Sequence, residues 1–252
     1  MPRPEPLFLF SLNIEGTKHL DAIFAFLERE KPDVFCVQEL FESDIPLFAR
    51  FFRQKPAFAP MTIYGKGGLH ALGEKGLGSP DVMGVGVFTD LPVVKKKIEY
   101  YYRSGETLKE HIAGDEETID RALVTVELKK GGESFRIATT HFTRTKDGIP
   151  DGRQRRDLKP LMELLGRLGD FVLAGDFNAM RGEEVFDTIA ARYRDNIPQE
   201  YKSSLDPKLH RVGHLDLMVD GLFTTPGYVA EGTRLVERLS DHKAIVSRIR
   251  RT

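Results

Sequence analysis

The feature that most constrains this chain is a set of short apolar runs, each of which stops at a polar side chain. The clearest is Leu173-Ala174-Gly175-Asp176-Phe177-Asn178, where a run beginning near Asp170 reads as a buried strand. It ends in glycine and then presents a carboxylate and a carboxamide two residues apart. Side chains alternate with period two along a strand, so Asp176 and Asn178 are expected to project the same way from its end. Two convergent oxygens there can hold a metal ion or a water. Other runs end in similar groups: Asn13 with Glu15, Glu39 after Gln38, His141 after Thr140, Asp216 or Asp220, and Asp241 beside His242.

Between these ends the chain alternates strand and helix patterns. Strands are expected over residues 7–14, 33–38, 83–89, 93–102, 121–128, 135–141, 170–174, 215–223, 228–236 and 244–249. Leu20, Ile23, Phe24 and Leu27 recur at helical spacing after Gly16-Thr17, and Pro32 closes that helix. A short helix carries Ile45, Leu47, Phe48 and Phe51, and two more are expected over 152–168 and 182–192. Lys129-Lys130-Gly131-Gly132-Glu133 reads as a hairpin turn, and the glycine-rich stretch 65–78 as a mobile loop. No linker or low-complexity segment interrupts the series, so 1–252 is expected to form one domain with its core from about residue 7 to about residue 250. Mixed strands with few helices imply an α+β fold, a four-layer α/β/β/α sandwich of two mixed sheets packed face to face with helices outside. Both halves show the same alternation, a faint internal symmetry.

Composition narrows the classes. A domain of 252 residues buries roughly 70–75% of its unfolded surface, enough for a substantial core. The formal net charge of −1 lacks the footprint of a dedicated duplex-DNA binder, although a local cluster can still hold phosphate. The lone cysteine, Cys36, excludes an internal disulfide, suits a reducing compartment and reads as a small buried hydrophobe inside Val34-Phe35-Cys36-Val37. No uncharged apolar run reaches the ~18 residues of a membrane span, and residues 7–12 lack a cleavage site for a signal peptide. A soluble cytoplasmic protein with no stable membrane insertion is expected.

Each polar pair has a bland reading on its own. Asn-x-Glu is usually a turn, Gly-Asp-Phe-Asn can be an Asx turn, and Ser240-Asp241-His242 can cap a helix. Together they make a donor set of carboxylate and amide oxygens with no cysteine cluster, which favours a hard cation, Mg²⁺ or Mn²⁺. Two histidines add groups that carry charge or move a proton near neutral pH. That combination fits hydrolysis of a phosphate ester.

Taken in order, Ser11-Leu12-Asn13-Ile14-Glu15-Gly16, Val37-Gln38-Glu39, Thr140-His141-Phe142, Gly175-Asp176-Phe177-Asn178 and Leu239-Ser240-Asp241-His242 make the chain resemble the endonuclease/exonuclease/phosphatase superfamily. Weaker support comes from Gly84-Val85-Gly86-Val87-Phe88 and the following Leu91-Pro92, and the likeness spans nearly the whole chain. The resemblance implies that Glu39 is the principal metal ligand, with Asn13 beside it and Asp241 as a further carboxylate of the metal site. It implies that Asp176 activates the attacking water with Asn178 as its companion, and that His141 and His242 stabilise the phosphate and the leaving oxygen. Some members place an acidic residue where Glu15 stands. An Asp on the strand before Asp241-His242 is implied to orient His242. Asp216 and Asp220 both fit, lying four apart on one face of a strand, and Asp216 is favoured because Asp220-Gly221 also reads as a turn or bulge. The implied activity is metal-dependent phosphoester hydrolysis, with a phosphodiesterase or nuclease preferred. The partner is then a phosphate-ester substrate, nucleic acid among the candidates. A phospholipid or phosphoinositide phosphoesterase is the alternative, and a binding module that has lost the chemistry ranks lower.

Other features carry bland readings. His214 is expected at a polar strand end, and His19, His70, His111 and His210 on the surface or in loops. Lys95-Lys96-Lys97 reads as a solvated strand edge and Tyr100-Tyr101-Tyr102 as core with one exposed ring, against base stacking as the sharper option. Arg153, Arg155 and Arg156 read as helix-surface charge or as phosphate contacts. Gly68 and Gly73 have P-loop spacing, but Glu74 stands where lysine is required. Specificity is expected to reside in the loops 65–78, 103–119, 143–151 and 196–212.

Overall fold

The computed structural model describes residues 5–65 and 80–252, so the loop expected over 65–78 lies, Gly65 apart, outside the described residues. In chain order the strands are β1 (Leu7–Asn13), β2 (Val34–Phe41), β3 (Ala57–Tyr64), β4 (Asp81–Thr89), β5 (Val93–Tyr102) and β6 (Arg121–Lys130). They continue with β7 (Glu133–His141), β8 (Val172–Asp176), β9 (Arg194–Asp195), β10 (Asp220–Thr224), β11 (Tyr228–Val236) and β12 (Ala244–Arg251). The α-helices are α1 (Leu20–Glu30), α2 (Gly152–Gly166) and α3 (Glu184–Ala190), and Glu42–Arg50 forms a 3-10 helix. The strands make two sheets of six, ordered β11-β12-β1-β2-β4-β3 and β5-β6-β7-β8-β10-β9.

The middle pair of each sheet is parallel, β1 with β2 and β7 with β8, and the other pairings are antiparallel. A parallel pair needs a crossover, which α1 supplies in the first sheet and α2 in the second. The sequence alternation in each half is therefore one β-α-β unit per sheet.

Strand periodicity sets the layers. Leu7 and Leu9 of β1, Val34 and Cys36 of β2, Ile137 of β7 and Val172 and Ala174 of β8 share the core between the sheets. Phe8, Phe10 and Leu12 turn the other way, against Ile23, Phe26 and Leu27 of α1. Leu173 and Phe171 likewise face Leu158, Leu161 and Leu165 of α2. The four-layer α+β sandwich is thus built as expected. Rings do much of the outer packing on the α1 side, where Phe10 stacks on Phe26 at 4.8 Å and on Phe35 at 4.6 Å. Cys36 is buried in the inner core, and burial pushes its thiol up to about 12.

Two elements differ from the sequence expectation. β3 has no counterpart in it, because Pro56 and Pro60 break the strand pattern. The strand survives because it is the edge of its sheet and Pro60 sits next to a register shift, two settings in which a residue without an N–H is tolerated. The strand expected over 215–223 begins only at Asp220, and residues 213–219 are irregular.

Two glycines are demanded by close approach. A Cβ at Gly175 would lie 2.3 Å from the carbonyl oxygen of Thr140 on β7, so the glycine before Asp176 lets β7 and β8 pair tightly. A Cβ at Gly221 would lie 2.5 Å from Phe223 and 2.9 Å from Phe177, which meet edge to face at 5.2 Å. Gly175→Ala is expected to destabilise the fold by about 1–3 kcal/mol, since the obstructing atom is backbone. Gly152→Ala, on α2 with open space around it, is expected to be neutral or stabilising. Denaturant midpoints of the two variants check the contrast.

Candidate active site

The inward-facing ends of the two parallel pairs meet between the sheets. Asn13 continues the inward row of β1 and Asp176 that of β8, while His141 ends β7 in register with Asp176. Asn13 Nδ2 donates to Asp176 Oδ2 and to Glu39 Oε1, both at 3.0 Å, so one amide ties the two sheets together. Asn13 Oδ1 accepts from the Glu15 backbone N–H at 3.1 Å, and Glu15 itself adopts φ 51°. The Glu15 carboxylate is held by Lys18 and by His19 at 3.0 Å, so it belongs to the turn.

Period-two counting puts Glu39 on the wrong face of β2, with Phe35 and Val37 against α1. A bulge corrects this. Val37 pairs with Gly86 and Leu40 with Gly84, so two residues oppose one, and Glu39 takes a left-handed conformation at φ 57°. Leu40 then returns to the outer layer while Glu39 is delivered inward beside Asn13. A non-glycine residue at this φ is costly by order 1 kcal/mol, and that strain sits at the site.

Asp176 is held at both oxygens. Its Oδ1 accepts from the Asn178 backbone N–H at 2.8 Å, an Asx turn with Asn178 at φ 48°. Its Oδ2 faces Asn13, His141 Nε2 at 3.5 Å and His242 Nε2 at 3.8 Å. The Asn178 amide donates to the Phe142 carbonyl at 3.2 Å. From α2, capped by the Asp151 carboxylate, Gln154 donates to the Thr143 and Asn178 carbonyls at 2.8 Å each. Arg121, 1% exposed, donates to the His141 and Phe142 carbonyls at 3.4 and 3.2 Å and is backed by Glu116 at 2.5 Å. His141 is thus fixed through its backbone, and its Nδ1 has no hydrogen-bond partner among the described residues.

His242 is oriented by Asp220. His242 Nδ1 donates to Asp220 Oδ2 at 2.7 Å with both residues buried, and Asp220 lies in register with Asp176 on the neighbouring strand. This corrects the expectation for Asp216, whose side chain is 71% exposed and pairs with His214 at 3.1 Å. The two positions share a face only on a continuous strand, and β10 starts at Asp220. Gly221 serves aromatic packing there, not a turn. Asp241 is half-buried, accepts from the Ser240 hydroxyl at 3.0 Å, and acts on Glu39 through its charge.

Burial and then the charge of Asp241 push the Glu39 carboxyl up to about 7. Burial also lifts Asp176, with Asp220 adding to the shift and His242 opposing it. The histidines diverge. Burial, then Arg121, His242 and Arg144, hold His141 well below 6.5 and neutral. Burial opposes charge on His242 too, but Asp220 and Asp176 outweigh it and hold this imidazole well above 6.5. Carboxylates therefore crowd a crevice in which His242 is the cation touching Asp176 and Asp220. Hard oxygens short of positive charge fit a divalent cation. Glu39 contacts Asn13 and His141 through Oε1 alone, which leaves Oε2 for such an ion. Asn13 turns its amide nitrogen to the carboxylates and positions them. Among the described residues, the acidic and imidazole group whose ligand atoms converge within 4.8 Å is Asp176, Asp220 and His242. There the short Asp220–His242 hydrogen bond already satisfies one carboxylate oxygen and one ring nitrogen.

The remaining candidates settle into the bland readings. Arg153 pairs with Asp151, Arg155 with Glu184 and Arg156 with Glu117 and Asp157. Tyr101 donates or accepts with Thr140 in the core, Tyr100 bonds the Pro60 carbonyl, and Tyr102 bonds Glu117. Lys95-Lys96-Lys97 is exposed on β5, an edge strand, where lysines discourage pairing with another sheet. Sequence reasoning missed Gln154 and Arg121, whose role is to bond backbone carbonyls and leaves no motif.

A model of the Endonuclease/Exonuclease/phosphatase family matches residues 10–242, and the chain belongs to that family. Its members are generally hydrolases of phosphoester bonds and usually use divalent metals. No curated protein matches the chain in sequence at a significant level. Among solved structures, an endonuclease/exonuclease/phosphatase from Beutenbergia cavernae DSM 12333 is similar at TM-score 0.71 and 18% identity, covering 98% of this chain and 72% of that one. The human Nocturnin catalytic domain with bound sulfate anion is similar at 0.65 and 19%, covering 100% and 95%. D. rerio TDP2 complexed with single strand DNA product is similar at 0.64 and 15%, covering 97% and 98%. Among the described residues no helix is long and apolar enough to cross a membrane.

The Asp220–His242 pair makes a pH-dependent prediction. The folded-state pKa of His242 is raised above its unfolded value of about 6.5, so the pair's stabilisation is fully present below about pH 6.5 and is lost as pH rises through the raised value. Asp220→Asn is therefore expected to destabilise by on the order of 3 kcal/mol near pH 6 and by less at high pH. Asp216→Asn is expected to stay within about 0.5 kcal/mol throughout. Urea unfolding across pH, with NMR titration of His242, checks both.

Proposed function

We propose that the chain is a divalent-metal-dependent phosphodiesterase of nuclease type. The observation that carries this reading is the Asp176 carboxylate, reached by Asn13, His141 and His242 from both sheets with Glu39 one hydrogen bond away. Glu39, with Asp241 nearby, would hold Mg²⁺ or Mn²⁺, which supplies charge neutralisation at the phosphate when bound. Asp176 takes the proton of the attacking water. Its Oδ1 is pinned by the Asn178 N–H, while Oδ2, oriented by the Asn13 amide, is the oxygen that faces the crevice and both imidazoles. Its upward-shifted pKa suits a base working near neutral pH. His242, charged and locked by Asp220, stabilises charge developing on the phosphate and the leaving oxygen. Neutral His141 offers a second hydrogen bond from the opposite strand. Two imidazoles kept in different protonation states by their surroundings match a site that must both accept and donate.

Supporting a diester substrate is the likeness to a structure complexed with single strand DNA product. A single thiol, buried in the core, suits a cytoplasmic setting.

Asp176→Asn and His242→Ala are each expected to lower kcat on bis-p-nitrophenyl phosphate by about 10²–10³. Mg²⁺ affinity should fall far more in Glu39→Gln than in Asp176→Asn. Full activity in a purified, folded Asp176→Asn or His242→Ala variant overturns the roles, and turnover unaffected by EDTA overturns the metal dependence. Because a proton must leave Glu39 before a cation binds, Mg²⁺ affinity measured by calorimetry should weaken as pH falls below about 7. In Glu39→Gln that slope should flatten.

A further inference from the structure

One side of the crevice carries positive charge that the hydrolytic roles do not use. At the end of β3, Tyr64 stacks with His111 at 4.6 Å and 27° between planes, and His111 comes from the 103–119 loop. That loop is docked on β3 by backbone hydrogen bonds, Ile63 N–H to Lys109 O at 2.9 Å and His111 N–H to Ile63 O at 2.7 Å. His111 Nδ1 and Arg121 Nε are buried atoms with no hydrogen-bond partner among the described residues, and Arg121 is nearly fully buried. Arg144 follows the β7 end that carries His141, is exposed, and makes no hydrogen bond or ion pair among the described residues. The charges of Arg121 and Arg144 both act on His141, on Tyr64 and on His111, so this side of the crevice is electropositive. The acidic groups on this side are Glu39, Asp115 and Glu116. Glu116 is engaged by Arg121, and Glu39 belongs to the reacting centre. Arg144 is the cation left over.

We propose that exposed Arg144, three residues beyond His141, forms with the unpartnered buried nitrogens of Arg121 and His111 a second anion subsite adjoining the reacting centre, which takes a second phosphate of the substrate. The assignment rests on the phosphoesterase reading and narrows its substrate to molecules with at least two phosphates. An exposed guanidinium three residues from His141 has no ion pair to break before it takes an anion, and it offers a bidentate fork to phosphate. The ring stack and the backbone bonds to Ile63 hold His111 in place at the end of β3.

The test compares the p-nitrophenyl 5′-phosphate ester of thymidine with the same ester carrying a 3′-phosphate, in Mg²⁺. Arg144→Gln is expected to lower kcat/KM for the second ester about 10- to 100-fold more than for the first, with partial recovery in Arg144→Lys. Equal losses on both esters overturn the subsite alone. No hydrolysis of either by the wild-type protein overturns the phosphoesterase reading and the subsite with it. Competition by a 5′-phosphorylated thymidine dinucleotide and by fructose 1,6-bisphosphate distinguishes the source. Inhibition weakened in Arg144→Gln for the dinucleotide alone identifies a nucleic acid, and for the sugar bisphosphate alone a phosphorylated small molecule. Inhibition by both unchanged overturns the proposal.

Discussion

Four carboxylates, Glu39, Asp176, Asp220 and Asp241, are brought into one crevice between two sheets, and most of the local structure answers the electrostatic cost of that. Buried carboxylates are tolerated only when paired or hydrogen-bonded. Asp176 receives the Asn13 amide and the Asn178 N–H, Asp220 receives His242, and Asp241 receives the Ser240 hydroxyl. Glu39 receives the Asn13 amide on one oxygen, and burial with the charge of Asp241 pushes it up to about 7. A group left in that state within a set of hard oxygens is where added positive charge stabilises most.

Such a crevice can exist because each sheet contributes the same unit. Parallel strands end side by side, so β7 and β8 deliver His141 and Asp176 together, while β1 and β2 deliver Asn13 and Glu39 opposite them. Glu39 and Asn178 both adopt left-handed backbone conformations, at φ 57° and 48°. Each is a strain of order 1–3 kcal/mol that only a well-packed surround can hold. The surround here is the ladder of stacked rings outside the first sheet and the Gly175 approach of β7 to β8 inside the second.

Much of this was legible in the sequence because period-two alternation is a local rule. It puts Asn13, His141 and Asp176 at inward strand ends without knowledge of the fold. It fails wherever the ladder slips. Glu39 stands out as the end of an apolar run but falls on the wrong face by counting, since a bulge is a property of the strand pair; its metal-ligand role comes only from the family resemblance. Asp216 and Asp220 are equivalent under the same rule, and what separates them is where β10 begins. β3 was hidden by prolines that only an edge strand tolerates. Gln154 and Arg121 bond carbonyls at the exits of β7 and β8, contacts that any donor of the right reach can make and that leave no motif.

The two imidazoles show how far position outweighs residue type. His141 and His242 approach the same Asp176 oxygen at 3.5 and 3.8 Å, yet one is held neutral and the other charged. The difference lies behind them. His242 has a carboxylate on its far nitrogen, whereas His141 has an unpartnered nitrogen and the buried Arg121 guanidinium at its carbonyl. Burial opposes charge on both rings, and it is the carboxylates around His242, Asp220 first, that overcome it there. The protonation states in the crevice therefore depend on groups such as Asp220 and Arg121, which stand behind the rings.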